Sequence, residues 1–284
     1  MKNSLKNNSN ILNKNKEKHK TFKAHISIIL FRIVSLIIIF LCLYRLFTWS
    51  QENKINTELI SNLQTQIDIP DSIVVHLPNS SNESSSSSEN STESLENTSN
   101  SIDFSTLINL NSDTVAWLQI NNTDINFPVV KTNNNDYYIK HNFEKKYNSA
   151  GWIFADYRNK FDNTDKNIII YGHNRRDGSM FSSLNNVLKE NWYTNPDNHI
   201  IALYTPSENI LYQVFSVYKI KTSEFNNITD FQNNSDFQNY LDIAINKSIY
   251  NFNQTVDYMD QLLTLYTCDN NNNYRIILHA KQIN

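Results

Sequence analysis

Residues 261–281 read QLLTLYTCDNNNNYRIILHAK, two apolar runs flanking the polar stretch Asp269–Asn273. Short runs rich in Leu, Ile and Tyr on either side of an Asp/Asn cluster have the form of strand, turn and strand. Successive side chains of a strand alternate, so Leu262, Thr264, Tyr266 and Cys268 share one face and Leu263, Leu265 and Thr267 the other. Paired as a hairpin, the first strand ends at Cys268 and the second opens at Arg275. Both residues then stand at the loop end of one sheet.

The same rhythm extends back to Ile102. Strands are expected at Val115–Ile120, Ile125–Val130, Gly151–Ala155, Asn167–Tyr171, His199–Tyr204 and Ile210–Ile220, with Leu262–Cys268 and Tyr274–Ala280 completing the set. Helical spacing is confined to Ser182–Asn191 and Asp236–Lys247, where Phe237, Leu241, Ile243 and Ala244 fall on one face. Many short strands with few helices predict one mainly-β domain over residues 102–284, a barrel or a sandwich.

The remaining N-terminal third is organised differently. Residues 1–25 carry seven lysines against Glu17, a charge of +6, which leaves −9 on the rest of a chain whose net charge is −3. Ile26–Trp49 is apolar apart from Ser27, Ser35, Thr48 and the charged Arg32 and Arg45. As a helix it is about 36 Å long, enough for a hydrocarbon core of about 30 Å. Both arginines lie towards the ends, where their stems reach the headgroups. The basic tail predicts a cytoplasmic N-terminus, a single-pass anchor over residues 26–49 and everything beyond residue 50 outside. A cleaved signal peptide is the alternative, but YRLFTWSQENK holds no small-x-small cleavage site. Residues 50–78 read as a stem, in which Ile55, Leu59, Ile60 and Leu63 recur at near-helical spacing. Residues 79–101 hold eleven Ser, five Asn and four Glu, a composition that buries too little to fold and reads as a linker.

Cys42 lies within the apolar segment, so Cys268 has no partner for an internal disulfide, and a lone exported thiol is a candidate nucleophile. At a pKa near 8.5 a thiol is only about 3% thiolate at pH 7. A neighbouring cation raises that fraction. His173, at the turn after the apolar run NIIIY, can protonate a leaving amine, and Arg275 can donate to an oxyanion with a charge that never titrates away. Taken singly, each residue also has an ordinary structural role: a solvated histidine, a small core thiol, an arginine paired with Asp269. Asp269 and Asp260 are candidates to orient His173 or Arg275. Tyr171, Asn174, Met180, Phe181 and Thr267 are expected near the site as substrate-binding residues. No cofactor or metal is expected, because HExxH and CxxC patterns are absent and the three glycines, Gly151, Gly172 and Gly178, form no phosphate loop. The acidic exported part argues against nucleic acid.

Several blocks sharpen this reading: DTVAWLQINNTDINFPVVKT (113–132), YYIKHNF (137–143), GWIFADYRN (151–159), NIIIYGHNRRDGSMFSSL (167–184), LTLYTC (263–268) and YRIILHAK (274–281). Through residues 102–284 the chain resembles the class B sortases. The resemblance implies a closed eight-stranded β-barrel behind one transmembrane helix, with His173 as catalytic histidine, Cys268 as nucleophile and Arg275 as essential arginine. It also implies a membrane-bound cysteine transpeptidase of a Gram-positive bacterium. Such an enzyme cleaves the sorting signal of exported proteins, a pentapeptide with threonine fourth, and transfers them to a peptidoglycan amine. A cysteine endopeptidase that releases to water and a catalytically silent envelope-binding barrel are the alternatives.

Overall fold

In a computed structural model of the chain, the described residues are 2–67, 69, 73, 102–224, 226–268 and 273–283, with the backbone alone described for residues 2–26 and Cys268. The expected linker, residues 79–101, lies outside them. The chain divides into two compact units, residues 1–53 and 54–284.

The helix α1 (Lys2–Gln66) is continuous through the basic tail, the apolar segment and much of the stem. From Ser27 it is long and apolar enough to cross a membrane, and its apolar side chains Ile28–Phe47 are exposed along that stretch. The stem helix expected from Ile55, Leu59, Ile60 and Leu63 is the last part of α1. Within the second unit Leu63 and Ile67 are buried in the barrel's core cluster, and Leu59 and Ile60 pack against it. Gln64 Nε2 donates to the Asn126 carbonyl at 2.9 Å, and Asn148 Nδ2 donates to Asn56 Oδ1 at 3.0 Å. The stem residues 54–67 therefore belong to the same packed body as the strands.

After α2 (Phe104–Leu110), which Asp103 caps by accepting from the Ser105 and Thr106 amides, come eight strands. They are β1 (Thr114–Ile120), β2 (Asn126–Val130), β3 (Phe154–Ala155), β4 (Asn167–Gly172), β5 (Ile200–Tyr204), β6 (Asn209–Lys221), β7 (Leu262–Cys268) and β8 (Tyr274–Ile283). They close in the order β1-β2-β3-β4-β7-β8-β6-β5, with β5 pairing back to β1. Pairing is antiparallel except for β2 with β3 and β4 with β7. A parallel pair needs a long crossover, and here the chain between β4 and β7 builds β5, β6 and two short helices. Those helices are α3 (Glu190–Tyr193) and α4 (Asn234–Lys247).

Alternation sorts the sheet into two cores. Inward residues such as Leu118, Val129, Ile170, Leu203, Leu263, Leu265, Ile276 and Leu278 fill the barrel. On the outside, Phe215, Leu262 and Ile277 are covered by Phe237, Leu241 and Ala244 of α4. A fully buried Leu241 contributes about 1.5–3 kcal/mol. Asn233 caps α4 by accepting from the Asp236 amide at 2.9 Å, which satisfies one otherwise unpaired donor.

Two expected elements differ. Instead of a strand from Gly151, only Phe154–Ala155 pairs, because Gly151 and Trp152 are held by the preceding connection through the Asn148 and Tyr138 carbonyls at 3.0 and 2.9 Å. Instead of an α-helix over Ser182–Asn191, a 3₁₀ segment spans Phe181–Leu188 and α3 follows it. Ser182 Oγ bonds the Arg175 carbonyl and Asn185 Nδ2 donates to Asn174 Oδ1 at 3.0 Å, so short polar side chains compete with the helical ladder there.

Candidate functional site

The site grows from the shared end of β4, β7 and β8. The run NIIIYG is buried along β4 apart from the half-buried Tyr171, the pattern of a strand covered on both faces. It pairs in register with β7, Tyr171 beside Tyr266 and Gly172 beside Thr267. Thr267 Oγ1 donates to the Gly172 carbonyl at 2.7 Å and locks the two strand ends together. A Cβ on Gly172 would lie 2.5 Å from the Phe181 ring, so the chain passes there only as glycine. Across the sheet, Cys268 stands in register with Arg275, and Arg275 with Ile220 of β6.

A cleft of 380 Å³ opens at this end, lined by His173, Tyr171, Ile139, Asn227, Tyr266 and Arg275 among others. His173 is partly buried, with Nε2 3.0 Å from the Ile139 carbonyl oxygen. A carbonyl can only accept, so Nε2 carries a proton and Nδ1 is the nitrogen that gains or loses one. Burial pushes the His173 pKa below 6.5; the Ile139 hydrogen bond opposes this, and the Arg175 and Arg275 charges add to it. Arg275 Nε donates to the Tyr266 hydroxyl at 2.9 Å and Nη1 to the Tyr274 carbonyl at 3.0 Å. The guanidinium also lies over the Tyr266 ring, 5.7 Å from its centroid.

The carbonyl that faces His173 is itself set by local structure. Tyr137–Ile139 form a 3₁₀ turn, and Gly151, at φ +60°, backs directly onto it. A Cβ on Gly151 would sit 2.5 Å from the Tyr138 oxygen and 2.7 Å from that of Ile139. Sequence reading had no signal for this link beyond the glycine itself.

Of the residues expected at the site, Tyr171, His173 and Arg275 line the cleft. Met180 and Phe181 are buried in the barrel core and do not line it. Asn174 pairs with Asn185 and Ser182 and ties down the turn after His173. Thr267 is fully buried and spends its hydroxyl on Gly172. Asp260 lies at the start of β7, about 26 Å of extended chain from Cys268, and accepts from the Asp257 amide instead of orienting His173. Asp269 lies outside the described residues. Asn135, Ile139, Phe154, Thr222, Tyr266 and Asn227 line the cleft without having been singled out from the sequence. They come from separate connections and strands that only the closed barrel assembles. Among the described residues no group of three or more His, Cys, Asp or Glu side chains could hold a metal ion.

A family model described as Sortase domain matches residues 118–283. Sortase B of Listeria monocytogenes serovar 1/2a is 34% identical over 177 residues, covering 61% of this chain and 71% of the relative. Sortase B of Staphylococcus aureus is 35% identical over 183 residues, covering 63% of this chain and 74% of the relative. Among solved structures, a Staphylococcus aureus sortase B–substrate complex superposes with a TM-score of 0.60 at 35% identity, over 63% of this chain and 84% of that one.

Proposed function

This chain belongs to the sortase family, as a class B cysteine transpeptidase, and on that premise we propose that Cys268 is its nucleophile, His173 its proton carrier and Arg275 its oxyanion donor. The supporting observation is that His173 and Arg275 line one cleft while Arg275 stands in register with Cys268 at the ends of adjacent strands.

The reaction runs in two halves. An extended sorting peptide enters the cleft with its fourth residue, threonine, at the end of β7. His173, neutral at pH 7, takes the thiol proton on Nδ1, and the Cys268 thiolate attacks the threonine carbonyl. Negative charge forms on the carbonyl oxygen, where Arg275 donates without reorganising. Collapse breaks the peptide bond, His173 gives its Nδ1 proton to the departing amine, and a thioacyl enzyme remains. The acceptor, an amine of peptidoglycan, attacks the same carbon and loses its proton to His173, while the thiolate leaves and is reprotonated. Arg275 keeps its place in both halves because its charge does not depend on pH.

The domain layout follows the same reading. Residues 1–25 form a cytoplasmic tail and 26–49 the membrane anchor of a single-pass protein. The stem of 50–78 and the linker of 79–101 lead to the catalytic domain of 102–284 on the outer side. Its substrates are exported proteins of a Gram-positive cell.

The test uses the full chain in detergent micelles, wild type and Cys268→Ala, with a panel of pentapeptides bearing threonine fourth and an excess of amine. Mass spectrometry should find an amine-ligated product that depends on Cys268. Hydrolysed peptide without ligation would favour an endopeptidase, and turnover by Cys268→Ala would remove the nucleophile assignment.

A further inference from the structure

The cleft wall is assembled from three distant segments, and one buried carboxylate touches all of them directly or through its arginine. Asp156, just after β3, is fully buried. Its Oδ1 accepts from Arg158 Nε at 2.8 Å and from the Arg158 amide at 3.0 Å. Its Oδ2 accepts from Arg158 Nη2 at 2.8 Å, Asn135 Nδ2 at 2.9 Å and the Tyr171 hydroxyl at 2.8 Å. Five donors on two oxygens saturate the group. Arg158 Nη2 also donates to the Asn227 carbonyl at 2.8 Å, and Asn227 Nδ2 donates to the Tyr171 hydroxyl at 3.2 Å. The ring closes on itself: Asp156 to Arg158, to Asn227, to Tyr171, and back to Asp156.

Asn135, Tyr171 and Asn227 all line the cleft, whereas Asp156 and Arg158 do not. Asn135 belongs to the connection after β2, Tyr171 to β4 and Asn227 to the connection between β6 and α4. Two of these three come from loops, which lack a ladder of their own to hold side chains in place. A bidentate arginine–carboxylate pair, its carboxylate buried and its guanidinium partly exposed, supplies that rigidity, since its fork geometry permits one arrangement. Burial pushes the Asp156 pKa up, but the Arg158 hydrogen bonds, with those from Tyr171 and Asn135, outweigh it and hold the carboxyl below the ordinary range. Tyr171 spends its only proton on Asp156, so it offers a peptide its ring and not a donor.

We propose that Asp156 and Arg158 are positioning residues that clamp Asn135, Tyr171 and Asn227 into one preformed wall for the peptide substrate. The pair touches neither His173 nor Arg275 in any described hydrogen bond, so its effect falls on substrate binding and not on the chemical step. This inference rests on the reading of the cleft as the peptide site.

Two measurements test it on the full chain in micelles. In the first, steady-state transpeptidation is compared for wild type, Asp156→Asn and Arg158→Lys. KM should rise about tenfold or more while kcat stays within about twofold, the pattern of lost uniform binding. Arg158→Lys keeps the charge beside Asp156 but cannot span both the carboxylate and the Asn227 carbonyl, so it serves if Asp156→Asn folds poorly. An unchanged KM, or a fall confined to kcat, would overturn the proposal. The second needs no turnover: the side-chain amide resonances of Asn135 and Asn227 should both shift in either variant. If they stay in place the clamp does not exist. Absence of turnover in the wild type would instead count against the assigned reaction, and the resonances would still decide the clamp.

Discussion

His173 meets a carbonyl at Nε2, and that contact decides which of its nitrogens can carry a proton through the reaction. Burial pushes its pKa below the ordinary 6.5, with the Arg175 and Arg275 charges pressing in the same direction and the Ile139 hydrogen bond opposing. Titration followed by NMR should therefore give a His173 midpoint below 6.5, and Arg175→Gln should move it upward because one repelling charge is gone. A midpoint above 6.5 would mean that an uncounted anion stabilises the imidazolium. Arg275→Lys keeps the charge but loses the planar fork that bonds Tyr266 and the Tyr274 carbonyl. Its kcat/KM should fall by about a hundredfold or more, the scale of a lost oxyanion donor. Near-wild-type activity would make Arg275 a packing residue. That Cys268, His173 and Arg275 stand at strand ends was legible because apolar runs mark those strands, whereas their roles were carried over from the family resemblance. Asn227 and Asn135 were not legible, since asparagines in polar loops carry no periodicity.

At the scale of elements, strong periodicity was read correctly and weak periodicity was overridden. Seven of the expected strands recur, β7 with the expected bounds and six with ends moved by one to three residues, while β3 shrank because Gly151 and Trp152 are bonded into the connection before it. That connection is the element on which His173 depends. Gly151→Ala would place a Cβ within 3 Å of two carbonyl oxygens at a backbone angle that disfavours side chains. It should cost about 1–3 kcal/mol and displace the Ile139 carbonyl, lowering both Tm and kcat. A variant with wild-type Tm and kcat would show that the 137–151 connection yields freely and does not hold His173. The 3₁₀ segment at Phe181–Leu188 has a similar lesson: its apolar spacing is helical, but Ser182 and Asn185 bond backwards into the turn after His173.

The whole molecule binds its parts through buried polar groups as well as apolar ones. Thr264 donates to Asn167 Oδ1 at 2.7 Å, so it accepts from His279 Nδ1 at 2.9 Å, and His279 Nε2 accepts from the Tyr218 hydroxyl at 3.0 Å. Burial lowers the His279 pKa to about 3, and His173 and His199 are lowered by the same cause. A histidine whose folded pKa lies below its unfolded value binds its proton first in the unfolded chain. Its contribution is therefore full above pH 6.5 and is lost as the pH falls toward the folded value, at up to about 1.4 kcal/mol per unit for each group. Urea unfolding of the 54–284 unit within the full chain should show stability falling by about 2 kcal/mol or more from pH 6 to pH 4, with a shallower slope in His279→Asn. A flat profile would mean that His279 is charged in the fold. Residues 54–67 of the stem are part of the same body, so Leu63→Ala should cost about 2–4 kcal/mol although Leu63 precedes the first strand by some fifty residues. No loss would mean that the stem packs loosely.

What the sequence determined by itself was whatever local pattern encodes. The apolar helix, the alternating strands, the mainly-β class and the hairpin that sets Cys268 beside Arg275 are written in local spacings, whereas joining that thiol to His173, ninety-five residues earlier, came from the family resemblance. The tertiary structure alone decided the order in which strands close, the docking of the stem, the carbonyl that faces His173 and the wall around Asp156. Those depend on contacts between residues tens to hundreds of positions apart, and no spacing along one chain records which distant groups will share a hydrogen bond.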